Sequence, residues 1–385
     1  MKSIIQLAFT IYPQTSGQTI YSLALARWLS EKYRIYLFTY ATKNFNKDTD
    51  EILNFYEEIH TYKYVEKRDI QSTIDRFRVL HVVDDQMYDD VVSKIESEKI
   101  STVVIDHLGM SSFYYRLKRK FPNISFIYSS GNVESLNIDA AFMKGGRNKR
   151  LWHIRAYLHK LTERDMLKKA DAVISISNSD TDYFRNVMKI HNNYILSKPH
   201  YLFKCIREES EFCKPTQTMM IAGSMSWYPN VSGVLKFVNE VFIPMIQGNS
   251  EAKLYIVGKN PTEELVALGK SNPNIIVTGF VEDIDEYYKK CDIAIIPVFE
   301  GSGIKIKLLE ALGKGVPVLS TSHAARGYDI CDRIIVEDDS VKMIEYLKRV
   351  MSDSNLRKRL HHGSLELYNE ITRSENLEEL DRFVK

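Results

Sequence analysis

The run from Ile293 to Ser322, IAIIPVFEGSGIKIKLLEALGKGVPVLSTS, leaves this chain few folds to choose from. Ile293–Val298 is unbroken, apolar and rich in β-branched residues, as suits a strand buried on both faces. Glu300-Gly301-Ser302-Gly303 interrupts it, and Ile304–Leu312 resumes with Ile306, Leu309 and Leu312 at helical spacing. Gly313 and Gly315 end that helix, and VPVLSTS reads as the next strand. A helix opening into a glycine loop at a strand's end makes an anion site. Its first N–H groups have no partner within the helix, and glycine lets a ligand approach the backbone. Lys305 and Lys307 stand at the helix end where the macrodipole disfavours cations, a mismatch that a bound phosphate relieves. The plainer reading is a simple connection, with Glu310 pairing Lys314 four residues on.

The rest of the chain repeats the alternation. Strands are expected at Ser3–Thr10, Arg34–Tyr40, Val79–Val83, Thr102–Asp106, Ser125–Tyr128 and Ala172–Ser177, with a helix at Thr19–Lys32 and further helices between. From Lys198 to Thr218 periodicity is lost, as in a linker. A second series follows: MMIAGSM, a helix VSGVLKFVNEVFIPMI, KLYIVG, IIVTGF, a helix IDEYYKK, and then the run above. Strand–helix alternation gives parallel sheets covered on both faces, and 385 residues suit two such domains. No GxGxxG follows a strand, which disfavours a dinucleotide-binding oxidoreductase.

A net charge of +2 argues against wholesale nucleic-acid binding, and no nucleic-acid motif accompanies the basic residues. The four cysteines, Cys205, Cys213, Cys291 and Cys331, have no metal-ligand spacing and read as reduced thiols in the cytoplasm. The opening MKSIIQLAFTIYPQ is too short and interrupted for a signal peptide, and no stretch reaches transmembrane length. Met143–Lys169 collects Lys144, Arg147, Lys149, Arg150, Arg155, Lys160, Arg164, Lys168 and Lys169 around Trp152, Tyr157 and Leu158. Such a segment suits the surface of an anionic membrane, or is simply a solvated helix face.

The glycine loop followed by LLEALGKGVPVLST, with AGSMSWYPN and VTGFVED before it, resembles the donor-binding half of family 4 glycosyltransferases of the GT-B fold, in the branch with a GSGIK-type loop. The resemblance implies two Rossmann-like, doubly wound domains facing a central cleft. It implies an acceptor-binding domain over 1–197, a linker over 198–217, a nucleotide-sugar domain over 218–365, and a C-terminal helix over 366–385 crossing back to the first domain. The implied activity is metal-independent, retaining transfer of a hexose from a nucleotide-sugar to a saccharide or lipid-linked acceptor in surface-polysaccharide synthesis, with no cofactor. The enzyme would be cytoplasmic or peripheral on the membrane's inner face. A nucleotide-sugar epimerase and a non-catalytic partner of the same fold are the alternatives.

By the same resemblance Glu310 matches the glutamate that holds the ribose hydroxyls. Gly17, Gly301, Ser302, Gly303, Ile304, Lys305 and Lys307 surround the donor, and backbone groups near Phe280 and Val281 read the base. The interval from Glu300 to Glu310 is two residues longer than the family's glutamate pair. Relatives also carry an arginine and a lysine where this chain has Ser224, Met225, Pro229 and Asn230, so the diphosphate charge falls to Lys305 and Lys307. His107 and Glu300 are the catalytic candidates, and Asn132 and Glu134 the acceptor candidates. Gly131 stands where relatives of this branch often have histidine.

Overall fold

The structure, a computed structural model, describes residues 1–11, 17–40, 54–64, 84–136, 149–191, 194–197, 203–247, 251–300, 305–326, 328, 330, 332–372 and 377–385. The chain divides into two compact units, Met1–Tyr201 with Ser374–Lys385, and Leu202–Arg373.

The first unit holds a seven-stranded, all-parallel sheet: β1 (Lys2–Ala8), β2 (Tyr33–Tyr40), β3 (Glu58–Tyr62), β4 (Thr102–Asp106), β5 (Ser125–Ser130), β6 (Ala172–Ser175) and β7 (Tyr194–Ser197), in the order β3-β2-β1-β4-β5-β6-β7. Alternate residues of β1 supply the two cores on its faces. Ile5 and Leu7 join one with Met87, Val91 and Phe113; Ile4 and Ala8 join the other with Leu25, Leu29 and Val104. The helices Gly17–Ser30, Asp85–Glu98 and Ser111–Lys120 connect and cover the strands, and the helix Lys149–Lys169 leads into β6. Val79–Val83 lies outside the described residues.

The second unit repeats the plan with β8 (Thr218–Ala222), β9 (Lys253–Val257), β10 (Ile275–Gly279), β11 (Ile293–Ile296), β12 (Val318–Ser320) and β13 (Ile335–Val336), in the order β10-β9-β8-β11-β12-β13, again all parallel. In both sheets the order reverses beside the first strand of the unit, between β1 and β4 and between β8 and β11. Chains leave such a pair in opposite directions, and the crevice at the strands' carboxyl ends is the usual ligand site of this topology.

The expected linker over 198–217 is packed structure from residue 203 onward. Arg207 is buried and donates Nη1 to the carbonyls of Tyr288 (3.0 Å) and Cys291 (2.8 Å), while Phe212 is enclosed beside Arg357 and His361. The segment looks irregular in sequence because its partners lie far along the chain and its own backbone forms only a short 3-10 turn, Glu209–Cys213. The expected terminal helix over 366–385 is likewise divided. The helix Ser354–Thr372 belongs to the second unit, and the short helix Leu377–Leu380 to the first, where Leu380 and Val384 are buried and Asp381 accepts from the Tyr33 hydroxyl at 2.9 Å.

Candidate functional site

In the second unit the helix Ile306–Gly313 follows β11, and it forms for local reasons: Leu308, Leu309, Ala311 and Leu312 bury one face. Lys305 is its cap residue and offers no side-chain cap bond. The Lys307 side chain reaches the β8 side of the β8–β11 crevice and donates Nζ to Oδ1 of Asn230. Asn230 lies in the first turn of the helix Tyr228–Phe237 that follows β8, and its own Nδ2 donates to the Ser224 carbonyl at 2.8 Å. Gly223, just beyond β8, has φ +152°, and a Cβ there would lie 2.8 Å from Nδ2 of Asn230 and 3.2 Å from Nζ of Lys307. That backbone conformation favours glycine, and a side chain there would crowd the ends of Asn230 and Lys307. Burial, with the like charge of Lys305 added, pulls the Lys307 ammonium down to about 7.

Glu310 stands one turn farther along the same helix. Lys314, its sequence-level partner, is held by Asp285 at 2.6 Å on the helix Asp285–Lys290. Burial pushes the Glu310 carboxyl up to about 7; Lys314 opposes that rise, Asp285 adds to it, and the Tyr288 hydroxyl donates to the carboxylate. Glu310 is half-buried, and the lysine four residues on is shared with Asp285.

The other donor candidates are more scattered. Phe280 follows the end of β10 and is 65% exposed, with Val281 half-buried beside it. Glu300 is half-buried at the end of the loop from β11, and Gly301, Ser302, Gly303 and Ile304 lie outside the described residues. Gly17, in the first unit, opens the helix Gly17–Ser30.

The first unit's own crevice holds a cluster of titratable groups. His107 follows β4 with φ +86°, unusual for a residue with a side chain; its Nδ1 accepts from the Gly109 N–H at 3.1 Å, and its Nε2 lies 3.4 Å from Oε1 of Glu134. Burial works against charge on both groups, but their hydrogen bond and mutual attraction outweigh it, raising the His107 pKa and lowering that of Glu134. The two candidates chosen separately from the sequence thus meet as a pair. Asn132 enters through its backbone, its carbonyl accepting from the Ser130 hydroxyl at 2.7 Å. A Cβ on Gly131 would fall 2.4 Å from Oε1 of Gln18, so the end of that side chain fills the space beside the glycine.

Two residues of this cluster escaped the sequence reading. Glu163 lies within the basic Met143–Lys169 segment, yet it is fully buried and accepts from the backbone N–H groups of Glu134 (2.7 Å) and Ser135 (3.1 Å). Burial pushes its carboxyl up to about 7 against those hydrogen bonds. Asp106 ends β4 fully buried, receives Nε2 of Gln6 at 2.9 Å, and is raised by desolvation. The available signal was position: both belong to elements that lead to or from His107 and Glu134.

Residues 216–353 match the family model described as Glycosyl transferases group 1. Over its whole length the chain is similar to solved structures of low sequence identity. WaaG, a glycosyltransferase involved in lipopolysaccharide biosynthesis, is 14% identical with a TM-score of 0.61, covering 99% of each chain. HepE of Anabaena, in complex with UDP-glucose, is 9% identical with a TM-score of 0.65, covering 97% of this chain and 96% of that one. The chain has the GT-B fold. Its two Rossmann-like sheets are the two sheets of that fold, and the matched segment of the group 1 model falls within the second. An uncharacterized 44.6 kDa protein in the cps region of Klebsiella pneumoniae is 24% identical over 197 residues, and the match spans about half of each protein (49% of this chain, 49% of the relative).

Proposed function

We propose that this protein is a glycosyltransferase that takes a sugar from a nucleotide-sugar and passes it, with retention of configuration, to a saccharide or lipid-linked saccharide in polysaccharide synthesis. The observation that carries the reading is the Lys307 ammonium, fixed by Asn230 at the β8–β11 switch point beside a glycine. A desolvated cation is stabilised by an anion that comes to it, and a diphosphate leaving group supplies that anion. The group 1 match over 216–353, the UDP-glucose bound in the Anabaena HepE structure and the involvement of WaaG in lipopolysaccharide biosynthesis support this reading.

In this scheme Lys307 and Lys305 stabilise charge on the departing diphosphate, so the step needs no divalent ion. Glu310 takes the ribose hydroxyls, and the base rests near Phe280 and Val281. Glu300 lies toward the sugar. His107 and Glu134, with Asn132 beside them, orient the acceptor hydroxyl. The helix Lys149–Lys169 carries Ile154, Tyr157 and Leu161 exposed at helical spacing among basic residues, which suits a peripheral position on an anionic membrane. No described helix is long and apolar enough to cross a membrane.

The test is incubation with a panel of nucleotide-sugars in chelator, following release of nucleoside diphosphate with and without extracted saccharide and lipid acceptors. Acceptor-dependent release with one donor is expected. Interconversion of the sugar without acceptor would make the protein an epimerase, and failure to bind any donor would make it a non-catalytic partner.

A further inference from the structure

We infer that Asn230 is the positioning residue of the donor site: its side-chain amide clamps the Lys307 ammonium at the carboxyl end of β8 so that the lysine meets an arriving diphosphate without rearranging. The inference rests on the glycosyltransferase reading and adds to it a residue that the sequence showed only as a missing charge.

The geometry fixes the amide's direction. Nδ2 faces the Ser224 carbonyl at 2.8 Å, a group that only accepts, so Oδ1 must face Nζ of Lys307, a group that in its charged form only donates. Two loops are thereby tied together, the turn after β8 and the first turn of the helix after β11, at the point where the strand order reverses. Gly223 lies against both side chains, a Cβ there falling 2.8 Å from Nδ2 of Asn230 and 3.2 Å from Nζ of Lys307. A neutral amide is well suited to this task. It holds the ammonium by one hydrogen bond without cancelling its charge, whereas a carboxylate in the same place would neutralise it before any ligand arrived.

The clamp also has a consequence for protons. Lys305 is the charge that bears on Lys307 from its own element, and Asn230, which meets it from the β8 side, is neutral. Burial and the like charge of Lys305 together pull the Lys307 ammonium down to about 7. Binding a diphosphate restores the charge, so the site takes up a proton as it fills.

Calorimetric titration with UDP, GDP, ADP and dTDP at pH 7.5, repeated in two buffers of different ionisation enthalpy, reads affinity and proton uptake together. The parent is expected to bind one nucleoside diphosphate with uptake of a fraction of a proton. Asn230→Asp is nearly isosteric; its carboxylate keeps Lys307 protonated in the empty site, so uptake should vanish and affinity fall about ten- to a hundredfold. Asn230→Ala, which only deletes the clamp, should lose affinity and keep the uptake. Parental affinity or parental uptake in Asn230→Asp overturns the assignment while leaving the glycosyltransferase reading in place. Absence of binding to every nucleotide by the parent removes that reading and the clamp with it.

Discussion

At the scale of single residues, the molecule sets charge where solvation does not favour it. Lys307 has a folded-state pKa of about 7 against an ordinary 10.5. Between those values the unfolded chain binds more protons than the folded one, so stability rises with pH across that window, and below it the full cost is present. Lys307→Met should therefore make the ligand-free protein more stable at pH 6, by an amount on the order of a few kcal/mol that shrinks toward pH 10. The same change should lower turnover about a hundred- to a thousandfold, as loss of one preorganised donor does. Denaturant unfolding at several pH values, beside a single-turnover assay, reads both effects; a variant less stable than the parent at pH 6 would show that the lysine is not strained. None of this was visible in sequence. Asn230 and Lys307 are separated by 77 positions, and the first looked like a lost cation until the fold put its amide against the second.

At the scale of elements, legibility followed burial. The strands Thr102–Asp106 and Ile293–Ile296 are buried throughout, and their apolar runs announced them. β3 was missed because Glu58–Tyr62 is a half-buried edge strand with little apolar content, held by pairing to β2 and by ion pairs such as Lys94–Glu58 at 2.7 Å. The Glu310 helix was legible because its apolar residues recur at helical spacing. The His107–Glu134 pair was found only in pieces, since its contact spans two strand ends. The helix Lys149–Lys169 was read by charge, whereas the structure adds the exposed ridge Ile154, Tyr157 and Leu161, at 54%, 63% and 43%. If that ridge enters a lipid surface, replacing all three with glutamine should release the protein from anionic vesicles, each side chain contributing about 1 kcal/mol or more of apolar transfer. Activity on a soluble acceptor should persist. Equal vesicle binding by variant and parent in a flotation assay would reduce the ridge to exposed surface.

At the scale of the whole molecule, the chain builds one unit, then the other, and returns. Residues Ser374–Lys385 belong to the first unit, where Leu380 and Val384 close a core shared with Ile4 and Leu29, and Asp381 meets Lys32 at 3.0 Å. Deleting 377–385 should thus destabilise the amino-terminal unit, by about 3–5 kcal/mol from the two lost apolar side chains. Limited proteolysis should then cut first within residues 1–201; cutting first within 202–373 would place the loss in the wrong unit. The central claim is narrower: the nucleotide part of the donor binds the second unit at the carboxyl ends of β8 and β11. Hydrogen exchange with and without the tightest nucleoside diphosphate tests it directly. Exchange should slow in peptides covering Gly223–Val231 and Lys305–Leu312, an effect lost in Lys307→Met, with peptides from Thr102 to Glu134 little changed. Protection confined to the first unit, or the same protection in Lys307→Met, would contradict it.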